Sequence, residues 1–328
     1  MGSLLKKGCV LAALVVATTL AIFLLPVPYS HQLSAILNKL DMVKEAGQDR
    51  VIFVGGSGLF DGLDSGMLEA RLNRPVVNLG LYAGFGITAL LREIRPFLRP
   101  GDVVVIVPEY SVVFDSPDEQ ARKWIFALAP ARNLPLLYGT VPDPVRAFIV
   151  DLVSLVRSKV QALPKAAQEA LRARECRVFF GSGYVYYRKY FTRNGDSLRT
   201  MRAATSPDLI EQRGVELFSD PRYRDQSFDA VNDFCRDALR QGVRTYFLFP
   251  AYPEEEYRRQ QEGMRRYEAR LRKELDCRIL GAPEDFLYPY DFFTNTVNHL
   301  NGEGKRVRTE KVITLLQKPL ALSRQTHE

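Results

Sequence analysis

The sequence predicts a three-layer α/β/α fold built on a five-stranded parallel sheet, and two observations lead to it. Five short runs rich in valine, isoleucine and phenylalanine alternate along the chain with amphipathic stretches of helical period. Those runs are nearly continuous in apolar residues, which is typical of parallel strands that helices cover on both faces. The chain has 328 residues, which is long enough for one large core with an inserted lobe.

The first element is an apolar stretch at the N-terminus. Residues 8–25 carry no charge, follow Lys6 and Lys7, and end at Pro26 and Pro28. They reach the lower limit of a bilayer span, which is about 17 to 25 residues. No small-x-small cleavage site follows, so we expect an uncleaved signal anchor that leaves the two lysines in the cytoplasm and exports the rest of the chain. A cleaved signal peptide is the alternative interpretation.

Strands and helices alternate from residue 51 onward. The first predicted elements are a strand VIFVG (51–55), a helix GLDSGMLEARL (62–72), a strand PVVNLGL (75–81), a helix GITALLREIRPFL (86–98) and a strand DVVVIVP (102–108). The pattern lapses over about 116–226, which predicts a mostly helical insertion after the third strand. It resumes with a helix SFDAVNDFCRDALRQG (227–242), a strand VRTYFLFP (243–250), a charged helix 254–275, a strand CRILGAP (277–283) and a last helix from about Gly302.

These elements predict a division of the chain into four parts. They are a cytoplasmic stub with a transmembrane anchor (1–28), a juxtamembrane segment (29–49), an α/β domain with its insertion (50–318) and a C-terminal tail (319–328).

Charge and cysteine content narrow the class of protein. The net charge of +7 comes from arginines spread among acidic residues, which is typical of solvated helix faces; contact with an anionic lipid or polymer is the alternative. No basic groove with interleaved aromatic residues is present, so we expect no nucleic-acid partner. Cys9 lies in the anchor, and Cys176, Cys235 and Cys277 are scattered without the paired spacing of a zinc site. We therefore predict neither a metal nor an organic cofactor, and the sequence does not choose a disulfide among the last three.

Polar residues follow several of the predicted strands. In open parallel sheets, ligands bind where the strands end, so these residues should gather at one edge. The residues of this edge are Ser57, Asn78, Glu109, Tyr110, Pro250 and the loop that holds His299.

The glycine-rich turn GGSGLFDG (55–62) raises the question of phosphate binding or nucleophilic catalysis. A dinucleotide fingerprint would need a glycine where Asp61 stands, and a P-loop would need a lysine, which is absent between Lys44 and Lys123. A serine nucleophile needs a base, and His299 is the one histidine within the predicted domain away from its ends, since His31 and His327 lie near the membrane and the C-terminus. The competing interpretation is that the serine only caps a helix and the histidine is a surface residue.

Three blocks of sequence resemble the SGNH/GDSL hydrolase superfamily. They are Gly56-Ser57-Gly58, Asn78-Leu79-Gly80, and His299 followed by L-N-x-x-G. The resemblance implies a flavodoxin-type sheet, a Ser57 nucleophile with a His299 base, and an oxyanion hole made by the backbone N–H groups of Ser57 and Gly80.

The chain departs from that family pattern at two positions. Glu109 follows the third strand where an asparagine donor is frequent, and a carboxylate donates only when it is protonated. Thr296 stands where the family has the aspartate of its D-x-x-H block. Asp291 and Asn295 are therefore the candidates for the group that orients the imidazole.

Within the superfamily, the chain is most similar to membrane-anchored proteins of bacterial envelope polymer modification, such as D-alanyl transfer and alginate O-acetylation proteins. That similarity implies an O-acyl (acetyl) transferase on a cell-surface polysaccharide, held in the cytoplasmic membrane through residues 8–25 with its domain on the outer side. It also implies a membrane-bound O-acyltransferase as partner.

Two other functions stay open at this point: a non-catalytic assembly or polymer-binding subunit with a degenerate site, and a carbohydrate esterase. Two segments carry further hypotheses. The aromatic residues in 184–191 would form either a sugar-stacking wall or an ordinary packed cluster, and the apolar helix 145–160 would rest either on a membrane partner or in a core.

Overall fold

The computed structural model describes residues 2–24, 31–112, 114, 121–122, 138, 141, 143–173, 191–198 and 207–322. Its contacts divide the chain into two compact units. One unit comprises Met1–Leu37 with Glu119–Arg188, and the other comprises Asn38–Asp118 with Lys189–Glu328.

The second unit is built on a parallel sheet of five strands, as the sequence predicts. The strands of the unit are β1 (Val51–Gly55), β2 (Val76–Asn78), β3 (Val103–Val107), β4 (Arg244–Phe247), β5 (Tyr252–Pro253), β6 (Arg278–Ile279) and β7 (Leu287–Tyr288). The main sheet has the order β2-β1-β3-β4-β6, and β5 pairs with β7 in a separate parallel ribbon. The two central strands, β1 and β3, are buried along their whole length, which explains their unbroken runs of apolar residues.

Ten helices of the described residues follow the N-terminal one. They are α2 (His31–Glu45), α3 (Ser57–Asp61), α4 (Ser65–Leu72), α5 (Ile87–Ile94), α6 (Pro144–Ala173), α7 (Pro221–Arg224), α8 (Asp229–Arg240), α9 (Glu254–Arg259), α10 (Gln261–Glu274) and α11 (Gly302–Leu322), and the first, α1, spans Gly2–Leu24. In the sheet unit, α5 packs against α8 and α4 packs against α11. The chain crosses from β1 to β2 in one direction and from β2 back past β1 to β3 in the other, so right-handed crossovers place these two pairs on opposite faces of the sheet.

Two predicted helices differ from their predicted bounds: one begins later and the other is divided. The helix predicted over 62–72 begins at Ser65, because the side chain of Asp64 accepts a hydrogen bond from Met67 N at 2.9 Å and so caps the first turn. The separate short helix α3 begins at Ser57 itself. The charged helix predicted over 254–275 is interrupted at Gln260, whose side chain bonds to Leu217 N and to the Tyr252 hydroxyl.

The first unit contains the N-terminal helix. Residues Leu5–Ile22 of α1 are long and apolar enough to cross a membrane, which is consistent with a single-pass anchor and equally with a signal sequence. Helix α6 packs along α1 within this unit, and its Asp151 is buried against Arg122 and Tyr138. Several apolar side chains of α6, among them Val145, Ile149 and Val153, are exposed, which counts against a place in a core and leaves contact with a membrane partner a prediction. The compartment of the protein stays a prediction.

A disulfide joins Cys235 of α8 to Cys277 at the start of β6. It therefore links a helix that covers the sheet to the edge strand of that sheet.

Cys176 and the aromatic residues 184–190 lie outside the described residues, so the prediction about a sugar-stacking wall stays untested. The boundaries of the insertion likewise stay a prediction; one part of it, 191–198, belongs to the sheet unit, where the Asn194 carbonyl accepts a hydrogen bond from Asn78 N at 2.7 Å.

Candidate active site

Ser57 lies at the carboxyl end of β1, as the first residue of α3. The N-cap of this helix is Gly56, and no side chain caps it. The interpretation of Ser57 as a helix cap is therefore wrong. A side chain at Gly55 would overlap the Val107 carbonyl, so the end of β1 needs a glycine in order to approach β3 this closely.

The hydroxyl of Ser57 faces the imidazole of His299. Ser57 Oγ lies 2.8 Å from His299 Nε2. Both side chains are half-buried, so the pair is within reach of solvent. The two residues are 242 positions apart in the chain: Ser57 follows β1 closely, and His299 lies in the loop between β7 and α11.

The second nitrogen of His299 is held by Asn295. His299 Nδ1 lies 3.0 Å from Asn295 Oδ1, which also accepts a hydrogen bond from the Thr294 hydroxyl at 3.0 Å. An amide oxygen only accepts, so it fixes the proton on Nδ1 and leaves Nε2 as the acceptor for the Ser57 hydroxyl. The loop is closed by the Thr294 N–H, which donates to the His299 carbonyl at 2.9 Å.

Asp291, the other candidate for the orienting group, does not hold the imidazole. It is exposed, and its backbone carbonyl accepts a hydrogen bond from Asn301 Nδ2 at 2.7 Å. The arrangement is therefore Ser57–His299–Asn295, a serine counterpart of the Cys-His-Asn sites of papain-like proteases.

Glu109 contacts the nucleophile from the end of β3. It is 4% exposed, and its Oε1 accepts a hydrogen bond from Gly58 N at 2.6 Å and lies 3.2 Å from Ser57 Oγ. A Cβ at Gly56 would lie 2.5 Å from the same oxygen, so the carboxyl group fills the space that this glycine leaves open. Burial raises the pKa of Glu109, and the Gly58 N–H, His299, Ser57 and Arg308 oppose that rise.

A buried arginine stabilises the segment that carries Ser57. Arg308 of α11 is 2% exposed and donates through Nη1 to the carbonyls of Gly58 (2.8 Å) and Gly62 (3.4 Å). These are carbonyl groups at the end of α3, which a five-residue helix leaves without partners. Burial lowers the pKa of Arg308 to about 10, so it stays a cation at neutral pH.

The oxyanion role that the resemblance assigns to Gly80 does not fit the structure. The Gly80 N–H donates to Asn78 Oδ1 at 2.7 Å, so it is occupied within its own loop. Asn78, predicted at the site edge, is fully buried, and its Nδ2 donates to Leu59 O at 3.1 Å and to Asp196 Oδ1 at 2.8 Å. Asn78 therefore holds the loop together and does not face a substrate.

Other backbone donors lie nearby. The N–H of Ser57, at the first position of α3, makes no hydrogen bond with any residue that the structure describes, and the same holds for the N–H groups of Ala83 and Gly84. Ala83 belongs to a 3₁₀ turn (Ala83–Phe85), and its Cβ would lie 3.0 Å from a Cβ placed at Gly56. The edge of the sheet thus retains unpaired amide donors beside the nucleophile, as short helices do at their N-terminus.

Tyr110 lies in the core and not with the hydrogen-bonded group around Ser57. Its ring packs edge-on against Tyr252 at 5.1 Å and belongs to a buried aromatic cluster with Phe218 and Tyr267. The prediction that Tyr110 lines the site edge is wrong, because the side chain that follows Glu109 turns into the interior. Pro250, the remaining strand-end residue, is also buried.

Sequence reasoning named Ser57, His299 and Asn295 but missed two supporting residues. Nothing in the local pattern marks Arg308, since it is one of several basic residues on a charged helix. Asp196 lies in the segment predicted as insertion, yet it accepts hydrogen bonds from Ser65 N (2.7 Å) and Asn78 Nδ2 (2.8 Å). The one sequence signal that could have identified Asp196 is its place in the run Gly195-Asp196-Ser197.

The comparisons with known proteins give no further assignment: no family model matches the chain, and no curated protein matches it significantly.

Proposed function

We propose that this protein is a membrane-anchored SGNH-like O-acyltransferase that transfers an acyl group, of which acetyl is the simplest, to a bacterial cell-surface polysaccharide. The function rests on the resemblance of the three sequence blocks around Ser57, Asn78 and His299, together with the geometry around the serine.

One observation carries the proposal. Ser57 Oγ, His299 and Asn295 Oδ1 form a continuous run of hydrogen bonds at the carboxyl edge of the sheet, with distances of 2.8 and 3.0 Å. A serine that merely packs or caps has no need of an imidazole whose tautomer is fixed in this way. A hydroxyl with a base at this distance and an oriented base is the signature of nucleophilic catalysis.

The chemistry follows from this arrangement. Ser57 Oγ attacks the carbonyl carbon of an acyl ester while its proton passes to His299 Nε2. The negative charge that develops on the carbonyl oxygen is met by the unpaired Ser57 N–H. Collapse of the intermediate breaks the bond to the leaving group, which takes the proton from His299, and leaves an acyl ester on Ser57. His299 then accepts the proton of a sugar hydroxyl, whose oxygen attacks the acyl-enzyme and regenerates Ser57.

Two features support an extracytoplasmic location. Helix α1 has the length and composition of a single-pass anchor. The disulfide between Cys235 and Cys277 is of a kind that persists in oxidising compartments. A domain outside the membrane has no access to cytoplasmic acyl donors, so a membrane-bound O-acyltransferase that delivers the acyl group is the partner that we propose.

The experiment is acyl-enzyme trapping. The full chain in detergent is mixed with p-nitrophenyl acetate, and the peptide that contains Ser57 is analysed by mass spectrometry. We expect one acetyl group on Ser57, and none in Ser57→Ala or His299→Ala. Ser219→Ala, which changes an exposed serine outside the site, serves as the control and should acetylate normally.

The same experiment separates the other functions. Wild-type protein that is folded but never acetylated would contradict the enzymatic proposal and favour an assembly subunit. Rapid turnover to free acetate that an added oligosaccharide does not intercept would indicate an esterase.

A further inference from the structure

A carboxyl group stands against the nucleophile where the related hydrolases have an amide. Glu109 is the second residue after β3, and its Oε1 lies 3.2 Å from Ser57 Oγ. The two glycines on either side of Ser57 leave room for the Glu109 carboxyl group. A Cβ at Gly56 would lie 2.5 Å from Oε1, and a Cβ at Gly58 would lie 3.2 Å from the same oxygen. The turn that carries the nucleophile is therefore built around this side chain.

The two oxygens of Glu109 have different surroundings. Oε1 is fixed as an acceptor by the Gly58 N–H at 2.6 Å, and it is the oxygen beside Ser57 Oγ. Oε2 makes no hydrogen bond with any residue in the described part of the chain. If the group carries a proton, that proton belongs on Oε2, which is then a donor with no partner among the described residues.

The charged and titratable groups that face Glu109 come from two other elements. His299 approaches it from the loop before α11, and Arg308 approaches it from α11 itself. Neither makes an ion pair with Glu109, although Arg308 is buried and cationic. Burial is the largest influence on the pKa of Glu109 and raises it, whereas His299 and Arg308 lower it, so burial shifts the group towards its neutral form.

The position of Glu109 makes its charge decisive for the chemistry. An ionised carboxylate would lie within a few ångströms of the oxyanion that forms when Ser57 attacks, and like charges in a buried site repel strongly. It would also accept the Ser57 proton as a hydrogen bond and so compete with His299 Nε2. A neutral acid carries no charge to repel the oxyanion and is a weaker acceptor for the Ser57 proton, and it supplies a donor in the way that a protonated aspartate does in the ketosteroid isomerase oxyanion hole.

We propose that Glu109 is a catalytic residue that works as a neutral carboxylic acid, with its Oε2–H donating a hydrogen bond to the oxyanion formed by attack of Ser57. The inference rests on the acyl-transfer function proposed above. In the step, the Ser57 Oγ–carbon bond forms, the serine proton moves to His299 Nε2, and the carbonyl electron pair moves onto the oxygen that Glu109 and the Ser57 N–H hold. When that pair returns and the leaving group departs with the proton from His299, Glu109 still carries its own proton.

This role predicts a particular pH profile. Acylation needs Glu109 protonated, which gives a fall on the alkaline side as Glu109 ionises. Substitution of Glu109 by a residue that does not ionise should therefore remove this fall.

The test compares Glu109→Gln with Glu109→Ala. Glutamine keeps an oxygen for the Gly58 N–H and offers an amide donor where Oε2 stands, so we expect its acylation rate to fall by less than about tenfold. Alanine removes the donor, and loss of one oxyanion donor costs about 10² to 10³ in rate. In Glu109→Gln the alkaline fall should also disappear, because no ionisable group is left at that position.

The opposite result is equally clear. If the ionised carboxylate acts instead by stabilising the His299 imidazolium, glutamine will be as slow as alanine, and the proposal is then overturned. Circular dichroism on both variants ensures that the rates belong to folded protein.

A second measurement does not depend on turnover. The infrared difference spectrum between wild type and Glu109→Gln should contain the carbonyl stretch of a protonated carboxyl group near neutral pH. Absence of that band would overturn the proposal even if Ser57 acylates normally. Presence of the band in a protein that never acylates Ser57 would support the neutral state of Glu109 while contradicting the proposed function.

Discussion

His299 Nδ1 lies 3.0 Å from Asn295 Oδ1, and the two residues are four positions apart in one loop. The imidazole is thus oriented by a neutral amide rather than by the carboxylate of a Ser-His-Asp triad. The amide fixes the tautomer of His299, but it offers only a dipole to the imidazolium that forms when Ser57 loses its proton.

The first prediction concerns this contact. Asn295→Ala should slow acylation of Ser57 by about 10- to 100-fold, since a hydrogen bond to a charged group contributes about 1.5 to 3 kcal/mol. Asn295→Asp should acylate at least as fast as wild type, because a carboxylate accepts the same hydrogen bond and also stabilises the imidazolium. Stopped-flow release of p-nitrophenol measures both rates. An alanine variant as fast as wild type would show that Asn295 does not orient the imidazole.

The second prediction concerns the glycine after the nucleophile. A Cβ at Gly58 would lie 2.8 Å from the Asn298 carbonyl, which is backbone and cannot rotate away. Gly58→Ala should therefore lower the free energy of unfolding by about 1 to 3 kcal/mol. Gly66→Ala is the matched control, since its nearest neighbour is Asp64 Oδ1 at 3.5 Å and alanine is a better helix former. Equal unfolding midpoints in urea for the two variants would contradict the packing argument.

The third prediction concerns the disulfide. Cys235 and Cys277 are 42 positions apart. In the chain-entropy description, closing a loop of this size lowers the entropy of the unfolded chain and so stabilises the folded protein by about 4 kcal/mol. Reductant should lower the melting temperature of the wild type. The double variant Cys235→Ser/Cys277→Ser should melt at the lower temperature with or without reductant. A wild type that reductant leaves unchanged would show that the bond is absent or contributes little.

The fourth prediction concerns Lys39, whose ammonium group is fully buried. Lys39 Nζ donates to the carbonyls of Asn78 and Gly80, and burial lowers the pKa of Lys39 to about 7 from an ordinary 10.5. Between these two values the unfolded chain binds a proton that the folded chain does not, so stability rises with pH from about 7 towards 10.5. Below about 7 both states are protonated, and the folded protein carries the whole cost of the buried charge.

The measurement is the difference in unfolding free energy between wild type and Lys39→Met in urea at pH 7, 8 and 9. The difference should shift in favour of the wild type as the pH rises. Lys44→Met is the control, because Lys44 is exposed, with its ammonium group in a surface ion pair with Asp41 and over the Phe97 ring, so this variant removes a lysine without removing a buried charge. A flat difference for Lys39→Met would contradict the shifted pKa.

Most of the sheet was predictable from the sequence. Strands β1 and β3 lie in the centre and are buried on both faces, so their runs of apolar residues mark them to within a residue. The helix boundaries were less predictable. Side chains of Asp64 and Gln260 decided where α4 and α10 begin, and whether such a side chain folds back depends on its neighbours in space.

The candidate site divides in the same way. The sequence by itself determined that Ser57 and His299 follow strands, because apolar runs and glycine turns are local signals, and parallel strands bring their ends to one edge. Only the tertiary structure decided that the imidazole bonds to Asn295 and not to Asp291. It also decided that the Gly80 N–H donates to Asn78 and that Glu109 contacts Ser57. Each of these depends on a hydrogen bond of about 3 Å, and the path of a loop at that precision is set by packing between distant parts of the chain rather than by the periodicity of its residues.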